Sequence, residues 1–142
     1  MVLLESSILF EMLKSKPDTR VAAWLAGQPA GSVFVSTIAE AELRQAAMFL
    51  SQRRRQEMLA VIEGIFGEDF SGRVLPFDRF AAAAYAQVML DCRSARKEIT
   101  QLDAMVAGIA RSRGARLATR NADALLGCGV EVVDPWGASR ES

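Results

Sequence analysis

Four carboxylates stand where this chain could do chemistry: Glu5, Glu42, Asp103 and Asp123. Glu5 ends a first apolar run, Val2-Leu3-Leu4. Glu42 lies about one helical turn into the segment after a second apolar run, Ser32–Val35. Asp103 falls in the first turn of a segment that opens at Thr100, and Asp123 comes just after the run Arg116–Thr119. Carboxylates gathered in one place repel one another, and a cation is what balances them. Oxygen ligands with no His or Cys beside them select Mg²⁺ or Mn²⁺. The chemistry that calls for such a site is phosphoryl transfer, where metal generates the attacking hydroxide and neutralises charge in the transition state.

Each acid also has a plain structural role open to it, as a helix cap or a surface charge. Glu42 sits beside Glu40 but shares a helical face with Ile38, which makes it the better candidate of the two. Asn121 or Asp123 could simply cap a short following helix. Of the basic stretches, Arg53-Arg54-Arg55 reads as a solvated surface. Arg93, Arg96 and Lys97 close a helix just before Asp103, which places them to meet phosphates.

Composition narrows the choice of chemistry. The 142 residues contain no histidine, which removes His-based triads, HExxH zinc sites and imidazole acid–base catalysis together. Lys+Arg and Asp+Glu are both 17, so net charge argues neither for nor against a nucleic-acid partner, and any such contact must come from a local basic patch. Cys92 and Cys128 form no motif and read as free, mostly buried thiols suited to a reducing cytosol. No apolar run approaches the ~18 residues of a membrane span. The first residues lack the charged start and long apolar core of a signal peptide, so the expected location is the cytoplasm.

The elements that must position these residues alternate. Short apolar runs at Val2–Leu4, Ser32–Val35, Arg73–Pro76, Arg116–Thr119 and Val130–Val133 read as strands. Between them lie helices: Ile8–Leu13, one capped by Asp18, one from Thr37 to about Phe49, one to about Phe66, one capped by Asp78, and one from Thr100 to Arg113 that stops at Gly114. Five strands alternating with helices predict an α/β fold with a mostly parallel sheet. In such a sheet the site lies beyond the carboxyl ends of the strands, so the stretch Ile99–Asp123 can deliver Asp103 and Asn121 or Asp123 to one place. The chain reads as one domain over residues 1–136, with Gly137–Ser142 as a mobile tail.

The segments MVLLESSILFEML, FVSTIAEAELRQAA, RVLPFD, ITQLDAMVAGIARSRGARLATRNAD and GVEVVDPW succeed one another in order. Together they closely resemble the PIN-domain toxins of VapBC-type toxin–antitoxin modules, in particular the plasmid-stability and FitB-like group. The resemblance covers essentially the whole chain to Trp136. It implies a three-layer fold with a five-stranded parallel sheet between helices, and a Mg²⁺- or Mn²⁺-dependent endoribonuclease that leaves a 5′-phosphate and a 3′-hydroxyl. It further implies a homodimer silenced by a cognate antitoxin, through which the complex binds its operator DNA. Position by position, the family's three acids fall on Glu5, Glu42 and Asp103, the hydroxyl after the first acid on Ser6, and the polar residues after strand four on Thr119 and Asn121.

Three positions depart from the family's pattern. The family begins Asp-Thr-Asn or Asp-Ser-Asn where this chain has Glu5-Ser6-Ser7. The acid expected shortly after Asn121 aligns with Ala124, leaving Asp123 one residue early, about 100° of helical rotation away. The site is therefore degenerate, weakened or deliberately altered, and two functions stand side by side: a metal-dependent ribonuclease toxin, or an inactive PIN-type binding module that captures an antitoxin and takes part in operator binding. A phosphoacceptor receiver domain is excluded by the lack of an acid pair at Glu5-Ser6-Ser7 and by Pro135, not Lys, after the last strand.

Overall fold

The structure, a computed structural model, describes residues 1–140. Its elements run β1 (Val2–Leu4), α1 (Ser6–Met12), α2 (Thr19–Ala26), β2 (Val33–Ser36), α3 (Thr37–Met48), α4 (Gln52–Glu63), β3 (Val74–Leu75), α5 (Arg79–Ser94), α6 (Gln101–Ser112), β4 (Arg116–Ala118) and β5 (Val132–Val133). A π-helical turn, Gly64–Asp69, continues α4, and 3₁₀ turns occupy Ala122–Leu125 and Pro135–Arg140.

The five strands form one sheet in the order β3-β2-β1-β4-β5, and every pairing is parallel. β1 is the central strand, which is why Val2, Leu3 and Leu4 are apolar without alternation and all buried. Val2 and Leu4 face one core, shared with Ile8, Val21, Leu43 and Ile62. Leu3 faces the other, shared with Val88, Val106, Ile109 and Leu117. Helices α1 to α4 cover the first face and α5 and α6 the second, giving the three layers expected. The chain moves outward from β1 to β2 and β3, then returns to β4 on the opposite side of β1. Strand order thus reverses around β1, and the carboxyl end there is where open parallel sheets place their sites.

Local chemistry explains most boundaries. Asp18, Ser36, Asp78 and Thr100 each cap a helix by accepting a backbone N–H. Gly108 lets α5 and α6 approach closely: a Cβ there would lie 2.9 Å from the Ala81 carbonyl oxygen and 3.0 Å from Tyr85 Cα. No helix among the described residues is long and apolar enough to cross a membrane.

Two expectations need correction. The cysteines are not free: Cys92 and Cys128 are joined in a disulfide, with Cα atoms 4.7 Å apart. The last turns of α5 pack against the Gly127–Gly129 turn, where a Cβ on Gly127 would touch Ala95 at 3.3 Å, so the two sulfurs meet although their spacing carries no motif. The helix placed to about Phe66 runs on through its π turn to Asp69. Beyond these, the 3₁₀ segment Pro135–Arg140 breaks from helical geometry at Gly137, and residues 141–142 of the expected tail lie outside the described residues.

Candidate active site

The site is built at the carboxyl ends of the parallel strands, where β1 meets α1, β2 meets α3 and β4 meets its loop. The Glu5 N–H donates to the Ala118 carbonyl at 2.9 Å, so β1 and β4 end level with each other. Glu5 is then both the end of β1 and the N-cap of α1. Although charged, it is buried, only 8% exposed, and hydroxyls surround it. Its Oε1 accepts from the Ser6 hydroxyl at 2.8 Å. Its Oε2 accepts from the Ser7 N–H at 3.0 Å, from the Ser7 hydroxyl, and from the Thr119 hydroxyl at 3.3 Å. Thr119, just after β4, accepts in turn from the Asn121 N–H at 3.0 Å.

Glu42 comes to the same place from α3 and Asp103 from the first turn of α6. Both are half-buried, and both carboxyls are held above their ordinary values of 4.5 and 3.8. For Glu42 the largest cause is burial, then the negative charge of Glu5; Asp103 adds to the rise and the Ser6 hydroxyl opposes it. For Asp103 burial again leads, followed by Glu5, against hydrogen bonds from Thr100 and Asn121. The charge of Glu5, at the cap of α1, thus acts on Glu42 of α3 and on Asp103 of α6, and Asp103 acts on Glu42. Ser6 stands between Glu5 and Glu42, and its single hydroxyl proton can serve only one of them at a time.

Among the described residues no three of these side chains close into a ready metal cage. The donor set nonetheless fits a hard divalent cation: every donor is oxygen, and the two half-buried carboxyls are opposed in their ionised form by a charge that a cation would offset.

The remaining candidates lie further out. Asn121 is exposed, but its side chain reaches Asp103. Asp123 is exposed in the 3₁₀ turn and is not among the charges acting on Glu42 or Asp103. Arg93 and Arg96 are exposed and Lys97 half-buried; none is in an ion pair among the described residues, and none acts on the two raised carboxyls. Arg96 adopts a left-handed backbone, φ 57°, in the turn that closes α5. The residue that sequence reasoning undervalues is Ser7. By type it is a lost amide, whereas the structure shows a hydroxyl that donates to Glu5 and accepts the Arg120 N–H at 3.1 Å. Its position two residues after an acid that ends a strand is the available signal.

This combination, a parallel sheet of order 3-2-1-4-5 with acids from separate elements beside its central strand, is the architecture of a known family. The PIN domain family model matches residues 2–126, and the chain belongs to that family. Relatives within it are named a toxin, a VapC ribonuclease and a plasmid stability protein. The chain is 34% identical over 137 residues to Toxin FitB of Neisseria gonorrhoeae, covering 96% of this chain and 99% of that protein. It is 32% identical over 137 residues to VapC ribonuclease Y4jK of Sinorhizobium fredii, with 96% and 98% covered. A solved structure of FitAB bound to an IR36 DNA fragment superposes with a TM-score of 0.87 at 32% identity, over 96% of each chain.

Proposed function

We propose that this chain is a Mg²⁺- or Mn²⁺-dependent endoribonuclease toxin of a type II toxin–antitoxin module, with residues 1–136 as its working domain. What supports the reading is the placing of Glu5 at the end of β1, buried among hydroxyls, with Glu42 and Asp103 on neighbouring elements: burial and the Glu5 charge oppose ionisation of those two, an arrangement that a divalent cation would relieve. Glu5, Glu42 and Asp103 would hold the metal. The bound cation would acidify water and offset charge on the phosphodiester. Asn121 and Thr100 orient Asp103, and Thr119 and Ser6 orient Glu5; Asp123, exposed and apart from this cluster, would take part only once RNA or metal is bound. Arg93, Arg96 and Lys97 lie on the approach to α6 and would meet the RNA backbone.

The partners are inferred from the relatives. One is named a toxin, another a ribonuclease, and the FitAB structure holds DNA. The chain would work as a cytoplasmic homodimer, be silenced by a cognate antitoxin, and reach operator DNA through that antitoxin.

The test is RNA cleavage by the purified chain with Mg²⁺ or Mn²⁺ and with EDTA, beside Glu42→Gln and Asp103→Asn. Cleavage that survives EDTA, or survives in both variants, refutes the reading.

A second reading is an inactive module that only captures its antitoxin. One observation favours it: Glu5 Oε2 is already engaged by three donors, which leaves that oxygen little capacity for a metal. If Mn²⁺ binds only to the Glu5→Asp, Ser7→Asn variant and not to the natural chain, the second reading holds.

A further inference from the structure

We propose that Ser7 is a positioning residue matched to Glu5: its hydroxyl ties the Glu5 carboxylate to the loop after β4, leaving Oε1 as the oxygen that serves the acid cluster. The proposal rests on the metal-site reading above.

A glutamate carries one methylene more than an aspartate and overshoots a site at the strand end unless it folds back. Here it folds back as a cap. With Glu5 extended at φ −75° and ψ 160°, Oε2 returns to accept the Ser7 N–H at 3.0 Å. A serine hydroxyl has one proton and two lone pairs. The Ser7 proton goes to Oε2, and a lone pair takes the N–H of Arg120, 113 residues away, at 3.1 Å. One hydroxyl thereby joins the first acid, the start of α1 and the backbone that leads from Thr119 to Asn121. Thr119 repeats the pattern from the other side, donating to the same Oε2 and accepting from the Asn121 N–H.

The two carboxylate oxygens are therefore unequal. Oε2 has three donors and is anchored to the scaffold, while Oε1 has one, Ser6, whose hydroxyl is also within reach of Glu42. Capacity therefore remains on Oε1. The lengths explain the pairing. The hydrogen bonds join a long acid at position 5 to a short partner at position 7, and exchanging both lengths, Asp at 5 with Asn at 7, should conserve the span. Changing one alone should break that match.

The experiment is calorimetric Mn²⁺ titration of the wild type, Glu5→Asp, Ser7→Asn and the double variant, with Ser7→Ala and Ser7→Thr alongside. Metal-free amide hydrogen exchange is read at Arg120 and at the β1 amides. We expect Ser7→Ala to weaken Mn²⁺ binding by about tenfold or more, as loss of an outer partner of a ligand does, and Ser7→Thr to restore it. Each length-changing single variant should bind more weakly than the double variant. The Arg120 amide should lose protection in Ser7→Ala while the β1 amides keep theirs, which separates a local release from unfolding. Wild-type affinity in Ser7→Ala with Arg120 still protected overturns the proposal alone. Additive single variants overturn the matching of Glu5 with Ser7. A wild type that takes up no Mn²⁺ overturns the metal-site reading, and this proposal with it.

Discussion

Breaking the Cys92–Cys128 bond should lower the thermal stability of the chain by a predictable amount without altering its fold. The two residues are 36 apart in sequence. Closing a loop of that length in the unfolded chain removes about 13 cal/mol/K of entropy, or about 4 kcal/mol at 25 °C. Unfolding entropy near 60 °C is about 2.1 cal/mol/K per residue, so for 142 residues each kcal/mol shifts the midpoint by about 3 °C. The expected loss is thus about 13 °C. Both cysteines are buried, at 2% and 0% exposure, so a reductant reaches them only through local opening. Reduction should therefore be done in denaturant, with refolding in the continued presence of reductant. Calorimetry then compares oxidised and reduced wild type with a Cys92→Ala, Cys128→Ala variant. The variant should melt near the reduced protein and ignore reductant. Oxidised and reduced wild type melting within about 2 °C of each other, or two free thiols counted after oxidation and denaturation, would refute the entropic reasoning or the pairing itself.

Individual residues carry other consequences. Glu42 and Asp103 have folded-state carboxyls raised above 4.5 and 3.8, so the folded chain holds protons that the unfolded chain has released. Stability from these groups is therefore lost as pH rises from about 4 through the raised values. Glu42→Gln should flatten that decline in metal-free thermal melts and be more stable than wild type at pH 7, while losing any stabilisation by Mn²⁺; an unchanged pH profile counts against the cluster. Arg96 occupies a left-handed position at a cost of roughly 1 kcal/mol relative to glycine, so Arg96→Gly should raise the melting temperature yet weaken RNA binding in a filter assay. Equal RNA affinity would remove Arg96 from the substrate surface. Gly108→Val should destabilise by about 2 kcal/mol or more in urea titration, because its side chain would meet α5 backbone and not a flexible tip.

The fold is legible in the sequence because its signals are local and repeated. Val2-Leu3-Leu4 reads as a central strand on composition alone, and Asp18, Asp78 and Thr100 announce their helices as caps. Non-local geometry is not legible. Nothing in the spacing of Cys92 and Cys128 reveals that the end of α5 and the turn before β5 lie side by side, since that adjacency comes from the α5–α6 packing and the position of β5 beyond β4. The same limit applies to Asp123. Its number places it near Asn121, but the turn Ala122–Leu125 leaves it exposed, apart from the charges acting on Asp103.

Ser7 shows how a departure from a pattern can mislead when each position is weighed alone. Glu5 taken singly looks too long for its place, and Ser7 taken singly looks like a missing amide. Together they make a closed circuit of hydrogen bonds with Thr119 and Arg120 that buries a carboxylate without leaving either of its oxygens unpaired. An unpaired buried carboxylate would be costly, and the three hydroxyls around Glu5 remove that cost. The circuit shows how a buried carboxylate at position 5 is paired without an amide at position 7, beside Glu42 and Asp103, whose carboxyls are raised.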